Sequence, residues 1–238
     1  METAMRSSDV AFHQASELSL INELSTAVVE SLDRLGYAHI TEQVTLEVFE
    51  AIAERLGPIA MRTDLTITPG RNSIVYKADA IAFHQDNPAM KVIGWHCVQQ
   101  DDLDGSARLI DTSDIVDHFT PGELDTMSEI SVRCPDSDPN RHNPDKGLIA
   151  YFLWPMITKS SNRWLVYYVP WLILDSYTPE QNKMIKKFDE YLGEKEVINI
   201  RLQEGETLFI DNNRMLHGRD AIHSGSKRFL KRVWIKRD

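Results

Sequence analysis

Leu18, Leu20, Ile21, Leu24, Val28, Val29 and Leu32 recur at the three- and four-residue spacing of one helix face, and Gly36 stops the run. Residues 1–16 are polar and aperiodic, so they are expected to form a loose arm before a core that begins near Glu17. Residues 37–40 fit a short strand, and residues 45–56 return to helical spacing until Gly57-Pro58 ends it. Beyond Ser73 the pattern changes to short runs rich in Val, Ile and aromatic residues. Residues 73–76, 91–98, 107–110, 147–154 and 164–171 predict strands. Two helical pieces interrupt them, 122–130 and 179–192, the second entered through Thr178-Pro179-Glu180 with Thr178 placed as its cap. Residues 197–202 and 207–210 flank the turn Gln203-Glu204-Gly205-Glu206 and predict a hairpin, and 228–236 is the last strand. Many short strands, few helices and no strand-helix alternation through the middle predict a mainly β fold, an antiparallel sandwich or barrel with flanking helices. With no repeat, low-complexity tract or linker, residues 17–238 read as one domain.

Composition narrows the partners. The chain has 238 residues, 42% hydrophobic and 26% charged, as an ordinary folded protein does. Its 36 acidic against 26 basic residues give a formal charge of -10, which disfavours nucleic acid and anionic membrane as partners. Cys97 and Cys134 form no CxxC pair and read as buried reduced thiols. The N-terminus lacks the basic start and apolar core of a secretory signal, and the most apolar run, 148–157, is too short to span a membrane. A cytoplasmic protein is the expectation.

Three patterns carry chemistry. In Phe83-His84-Gln85-Asp86-Asn87, residues two apart on an extended segment point the same way, so His84 and Asp86 can present an imidazole and a carboxylate to one point. In the stretch GETLFIDNNRMLHGR, residues 205–219, a strand leads through a polar turn to His217. Two histidines and a carboxylate leave open coordination positions, the facial arrangement of non-haem Fe(II) oxygenases, whereas zinc more often adds another His or Cys. His223, six positions on, is the rival distal histidine. The final segment, 227–237, concentrates six basic residues in an acidic chain. As a strand it puts Arg228, Leu230, Arg232 and Trp234 on one face. A guanidinium among apolar neighbours asks for an anion, held in bidentate fashion, or for an internal acid such as Asp111 or Asp211. The remaining histidines, His13, His39, His96, His118 and His142, have no ligand-like company. Trp154, Trp164, Tyr168 and Trp171 suit a core, with some of them free to line a pocket.

The order and spacing of FHQD, GETLFIDNNRMLHGR and RFLKRVWI resemble the Fe(II)/2-oxoglutarate-dependent oxygenases of the taurine dioxygenase and clavaminate synthase-like family. The likeness extends over the opening helix and the GYAHI segment. It implies a double-stranded β-helix, a cupin-like jelly roll with helices packed outside. It further implies that His84, Asp86 and His217 hold the iron, and that Arg228 pairs with the C5 carboxylate of 2-oxoglutarate. Arg232, nearer the iron, would read a second anionic group on co-substrate or substrate. The family commonly places a Thr contact to 2-oxoglutarate where this chain has Gly105-Ser106-Ala107-Arg108-Leu109, so Ser106 or Arg108 would replace it. Tyr76, Asn87 and Arg232 are the expected substrate contacts. The implied activity consumes O2 and 2-oxoglutarate, releases succinate and CO2, and hydroxylates, desaturates, epoxidises or cyclises a small amino-acid-like or specialised-metabolite substrate. An intact Asp86 argues against halogenation, which in this group needs a small residue there. The alternatives are a non-catalytic jelly-roll protein that binds a carboxylate, and a cupin-like zinc hydrolase.

Overall fold

No Gly or Pro interrupts residues 7–35, and one helix, α1 (Ser7–Leu35), runs through them to Gly36. The computed structural model describes residues 7–101, 103, 105–138, 140–161 and 163–236, with side chains from residue 16 on. The helix therefore starts ten residues before the expected Glu17. Propagation from the packed half, Ile21 to Leu32, carries helix into a segment with no apolar face of its own. The rest of the expected arm, residues 1–6, lies outside the described residues.

In chain order there follow β1 (Tyr37–Ile40), α2 (Leu46–Leu56), β2 (Ile59–Thr66), β3 (Ile81–His84), β4 (Val92–Gln99), β5 (Ala107–Asp111), α3 (Ile115–His118), α4 (Pro121–Ser128), β6 (Ser131–Pro135), β7 (Tyr151–Pro155), β8 (Ile157–Ser160), β9 (Arg163–Val166), α5 (Pro179–Glu194), β10 (Ile198–Ile200), β11 (Thr207–Asp211), β12 (Met215–Arg219) and β13 (Phe229–Ile235). Thr178 caps α5 as its sequence predicts, in a reciprocal box with Gln181.

A five-stranded sheet, β1-β11-β4-β13-β2, and a four-stranded sheet, β10-β5-β12-β3, form the antiparallel framework, with hairpins β6-β7 and β8-β9 beside it. Leu65, Trp95, Leu208 and Leu230 of the first sheet pack with Leu109, Ile200 and Met215 of the second. Helices α1 and α2 cover the outer face of the five-stranded sheet through Leu32, Phe49 and Ile52 against Phe209 and Val233. Helices α4 and α5 and the hairpins cover Ile110 and Leu216 of the other. This is a jelly roll with helices outside. Among the described residues no helix is long and apolar enough to cross a membrane.

Three local expectations are corrected. Residues 73–76 form a 3₁₀ turn, Ile74–Tyr76, because so short an apolar run carries no period to choose strand over turn. Strand β2, not expected, is a partly exposed edge that among the described residues pairs only with β13. The predicted hairpin after residue 197 does not form. β10 pairs with β5 and β11 with β1 and β4, so the turn at 203–206 carries the chain from one sheet to the other, its Gly205 N–H donating to the Cys97 carbonyl at 2.8 Å.

Candidate metal centre and its two cavities

Strand β12 lies between β5 and β3, and its register puts His217 directly opposite His84. The two rings lie 4.3 Å apart between centroids. Asp86 follows just beyond the end of β3. Its Oδ1 is 3.9 Å from His84 Nε2 and its Oδ2 4.0 Å from His217 Nε2. One ligand atom from each of the three lies within 4.8 Å of the others, and among the described residues no other such cluster occurs. His84 Nδ1 donates to the Ala82 carbonyl at 2.9 Å, which leaves the Nε2 lone pair facing Asp86. Burial holds both imidazoles neutral: it lowers His84 and, with the adjacent His84 ring, brings His217 down to about 3. Burial opposes ionisation of Asp86, yet its charged and polar neighbours, the Arg232 guanidinium first and the Trp234 N–H with it, outweigh it and hold the carboxyl below its ordinary range. Two neutral nitrogens and one carboxylate, preset and largely buried, fit a divalent iron ion.

Asn212 fixes this geometry, and no motif reading had singled it out. Its Oδ1 accepts from the Asp86 N–H at 3.0 Å, and its Nδ2 donates to the carbonyls of Asn87 and Met90 at 3.2 and 2.9 Å. The stretch after β3 is thereby pinned to the turn before β12.

Two cavities meet at the triad. The inner one, about 70 Å3, lies between the sheets, walled by Trp95, Ala107, Leu109, Leu208, Leu230 and their neighbours. Arg219, Arg228 and Arg232 reach its wall and no carboxylate does, among the described residues. Burial, with Arg219 alongside, pushes Arg228 down to about 10, still a cation at neutral pH, and its Nε has no partner. Arg219 spends one nitrogen on the carbonyls of Lys77 and Asp79 and leaves Nη1 unpaired. The outer cavity, about 590 Å3, is lined by Asp86, Asn87, Asp136, His142, Trp171 and Trp234 among others. His84 and Arg232 border both.

Each expected residue has a place. Arg232 meets an acid, but the acid is Asp86, at 3.1 Å. Asp111 and Asp211 are engaged instead by Arg214 and Arg163. Arg108 turns away from the inner cavity, pairing with Asp220 at 3.3 Å and lying 5.0 Å over the Phe83 ring. Alternation explains it: Gly105, Ala107 and Leu109 form the wall, and Ser106 shares the outward parity of Arg108. Tyr76 stacks under Arg71 at 4.1 Å, and Val75 takes the wall position. Asn87 borders the outer cavity while its Oδ1 caps Ala89 N–H. His223 stands apart from the triad, exposed, with its Nδ1 3.1 Å from Asp101 Oδ2. His96 is buried against Phe49, and of the aromatic group Trp171 reaches the outer cavity, 4.9 Å from His84.

The fold is shared with solved structures of low identity. Asparagine oxygenase in complex with Fe(II), 2S,3S-3-hydroxyasparagine and succinate superposes with a TM-score of 0.70 at 14% identity, over 90% of this chain and 79% of that one. Non-haem iron oxygenase OrfP in complex with Fe and alpha-ketoglutaric acid gives 0.67 at 15%, over 94% and 80%. The same enzyme with Fe, succinate and (3S)-hydroxy-L-arginine gives 0.69 at 14%, over 92% and 81%. No curated protein sequence matches the chain. Residues 4–234, which include the His-Asp-His cluster and the inner cavity wall, match the profile of the taurine catabolism dioxygenase TauD, TfdA family, and the chain belongs to that family of 2-oxoglutarate-dependent non-haem iron dioxygenases.

Proposed function

We propose that the protein oxidises a C–H bond of a small zwitterionic, amino-acid-like molecule, hydroxylation being the default outcome, and that His84, Asp86 and His217 are its iron ligands. The observation that carries this reading is the position of the triad at the junction of two unlike cavities, a narrow cationic one and a wider one of mixed charge. When bound, Fe(II) supplies O2 activation coupled to 2-oxoglutarate decarboxylation.

The chain's own residues do the rest. Arg228, with its orphan N–H in a cavity without acids, takes the C5 carboxylate of 2-oxoglutarate, and the apolar walls exclude water around it. In the outer cavity Arg232 keeps an unpaired Nε and offers a positive group for a substrate carboxylate. Asp136 lines the same cavity, its Oδ2 3.2 Å from the exposed Arg141 guanidinium, and offers the negative group for an ammonium. Asparagine oxygenase and OrfP, in their complexes with hydroxylated amino acids, lend the substrate class its support. The two buried free thiols accord with a cytoplasmic location.

Succinate release from 2-oxoglutarate with Fe(II) and ascorbate tests the reading, screened against a panel of free amino acids. Stimulation by one of them is expected, abolished in His217→Ala and retained in His223→Ala. Absence of 2-oxoglutarate turnover in the wild type, or its survival in His217→Ala, overturns the proposal.

A further inference from the structure

Strand β13 runs past the whole site on one face. Arg228 and Leu230 border the inner cavity, Arg232 borders both, and Trp234 borders the outer one. The indole does more than line a wall. Trp234 Nε1–H donates to Asp86 Oδ2 at 2.8 Å, and Arg232 Nη1–H reaches the same oxygen at 3.1 Å. The other oxygen, Oδ1, is the one 3.9 Å from His84 Nε2, while Oδ2 itself lies 4.0 Å from His217 Nε2. Among the described residues no further side-chain hydrogen bond reaches this carboxylate. The terminal torsion of an aspartate is broad and two-fold, so its oxygens exchange unless something holds one of them.

The two donors are not equivalent. Arg232 is a cation on the boundary of both cavities, and any anion that enters competes with Asp86 for it. The indole is neutral, offers a single N–H, and its ring is carried on a strand paired on both sides, with Met61 and Ile93.

We propose that Trp234 is a positioning residue for the metal-ligating carboxylate: its N–H holds Oδ2 of Asp86 beside His217 and keeps Oδ1 turned to His84, whether or not Arg232 is engaged elsewhere. This rests on the reading of His84, Asp86 and His217 as metal ligands. Partners that orient a ligand in this way are worth about 10–100-fold in metal affinity.

Co(II), titrated into metal-free protein without 2-oxoglutarate and followed by its visible absorption, provides the test on wild type, His217→Ala, Trp234→Phe and Trp234→His. The wild type should bind one equivalent and His217→Ala should not. Trp234→Phe, which keeps a ring and loses the N–H, should bind about 10–100-fold more weakly with an altered spectrum, its near-ultraviolet circular dichroism and unfolding midpoint as in the wild type. Trp234→His, which keeps a ring N–H, should recover part of the affinity. If Phe disturbs the metal-free fold, Trp234→Met, donor-free and adaptable in shape, takes its place. Wild-type affinity and spectrum in the donor-free variant overturn the inference, as does a His variant no better than it. Failure of the wild type to bind Co(II) overturns instead the reading of the triad.

Discussion

Arg228 is 9% exposed and sits in a cavity whose wall, among the described residues, contains no acid; Asp101 is near enough to favour its charge, and the face turned to the cavity is open to an entering anion. Its placement depends on Gly105: φ is +88°, and a Cβ there would lie 2.9 Å from Arg228 Cδ and Nε. A side chain at that position would push the guanidinium aside. For Arg228 itself, Lys should raise the apparent KM for 2-oxoglutarate, because an ammonium lacks the planar fork. Ala should cost about 2–5 kcal/mol of co-substrate binding, the scale for a buried charge pair left with one partner. Steady-state kinetics against 2-oxoglutarate checks both, and unchanged KM in the pair would place the co-substrate elsewhere. Asn212 is the second residue-scale test. Asn212→Ala strands the Asp86 N–H and the Met90 carbonyl, both bonded to one amide, whereas the Asn87 carbonyl keeps the Met90 N–H at 2.9 Å. At about 1–3 kcal/mol for a buried group without a partner, the variant should lose roughly 3 kcal/mol in urea denaturation. A loss under about 1 kcal/mol would mean that water replaces the amide.

At the scale of elements, β12 is joined to β5 and to the end of α1 through one side chain. Arg214 grips Asp111 with two nitrogens, at 2.9 and 2.5 Å, and also donates to the carbonyls of Asp33 and Arg34. Both charged side chains are less than a third exposed, so solvent screens the pair only in part. Burial works against the Asp111 carboxylate, but Arg214 and Ser113 outweigh it and hold its pKa below the ordinary value. A depressed folded pKa contributes stability above the unfolded pKa, about 3.9, and loses it as pH falls through the folded one. Asp111→Asn should therefore cost about 2 kcal/mol at pH 7, and its difference from the wild type should shrink steadily below about pH 4. Denaturation curves across pH check this, and a difference that persists undiminished at pH 2 would refute the assignment.

For the whole molecule, the two thiols report on two different cores. Cys97 lies between the sheets with Leu109 and Leu208, and Cys134 lies beneath α4 and α5 with Met127 and Phe188. Burial pushes each thiol up to about 11, so neither is a nucleophile at physiological pH. Neither should react with a disulfide reagent in the native protein at pH 8, and both should react after denaturation. If α4, α5 and the hairpins opened independently of the jelly roll, Cys134 would label first, whereas simultaneous labelling at the unfolding midpoint marks one cooperative unit.

The sequence by itself determined the helices with strong 3.6 periods, the cap at Thr178, the mainly β class, and the parity that sets Arg228, Arg232 and Trp234 on one strand face. These are properties of single elements, legible because side-chain direction follows local backbone geometry. The motif FHQD and the stretch ending at His217 also stood out, since their residue types are costly to bury without a ligand or partner. Only the tertiary structure decided what crosses between elements. It set His84 opposite His217 through the β12-β3 register and chose Asp86 over Asp111 and Asp211 as the acid for Arg232. It also sent β10 and β11 to different sheets and turned Arg108 outward while Ala107 faced the cavity. Each of these depends on strand register, and a shift of one residue reverses every side chain on a strand. Register is settled by the packing of two sheets against each other, which no local pattern encodes.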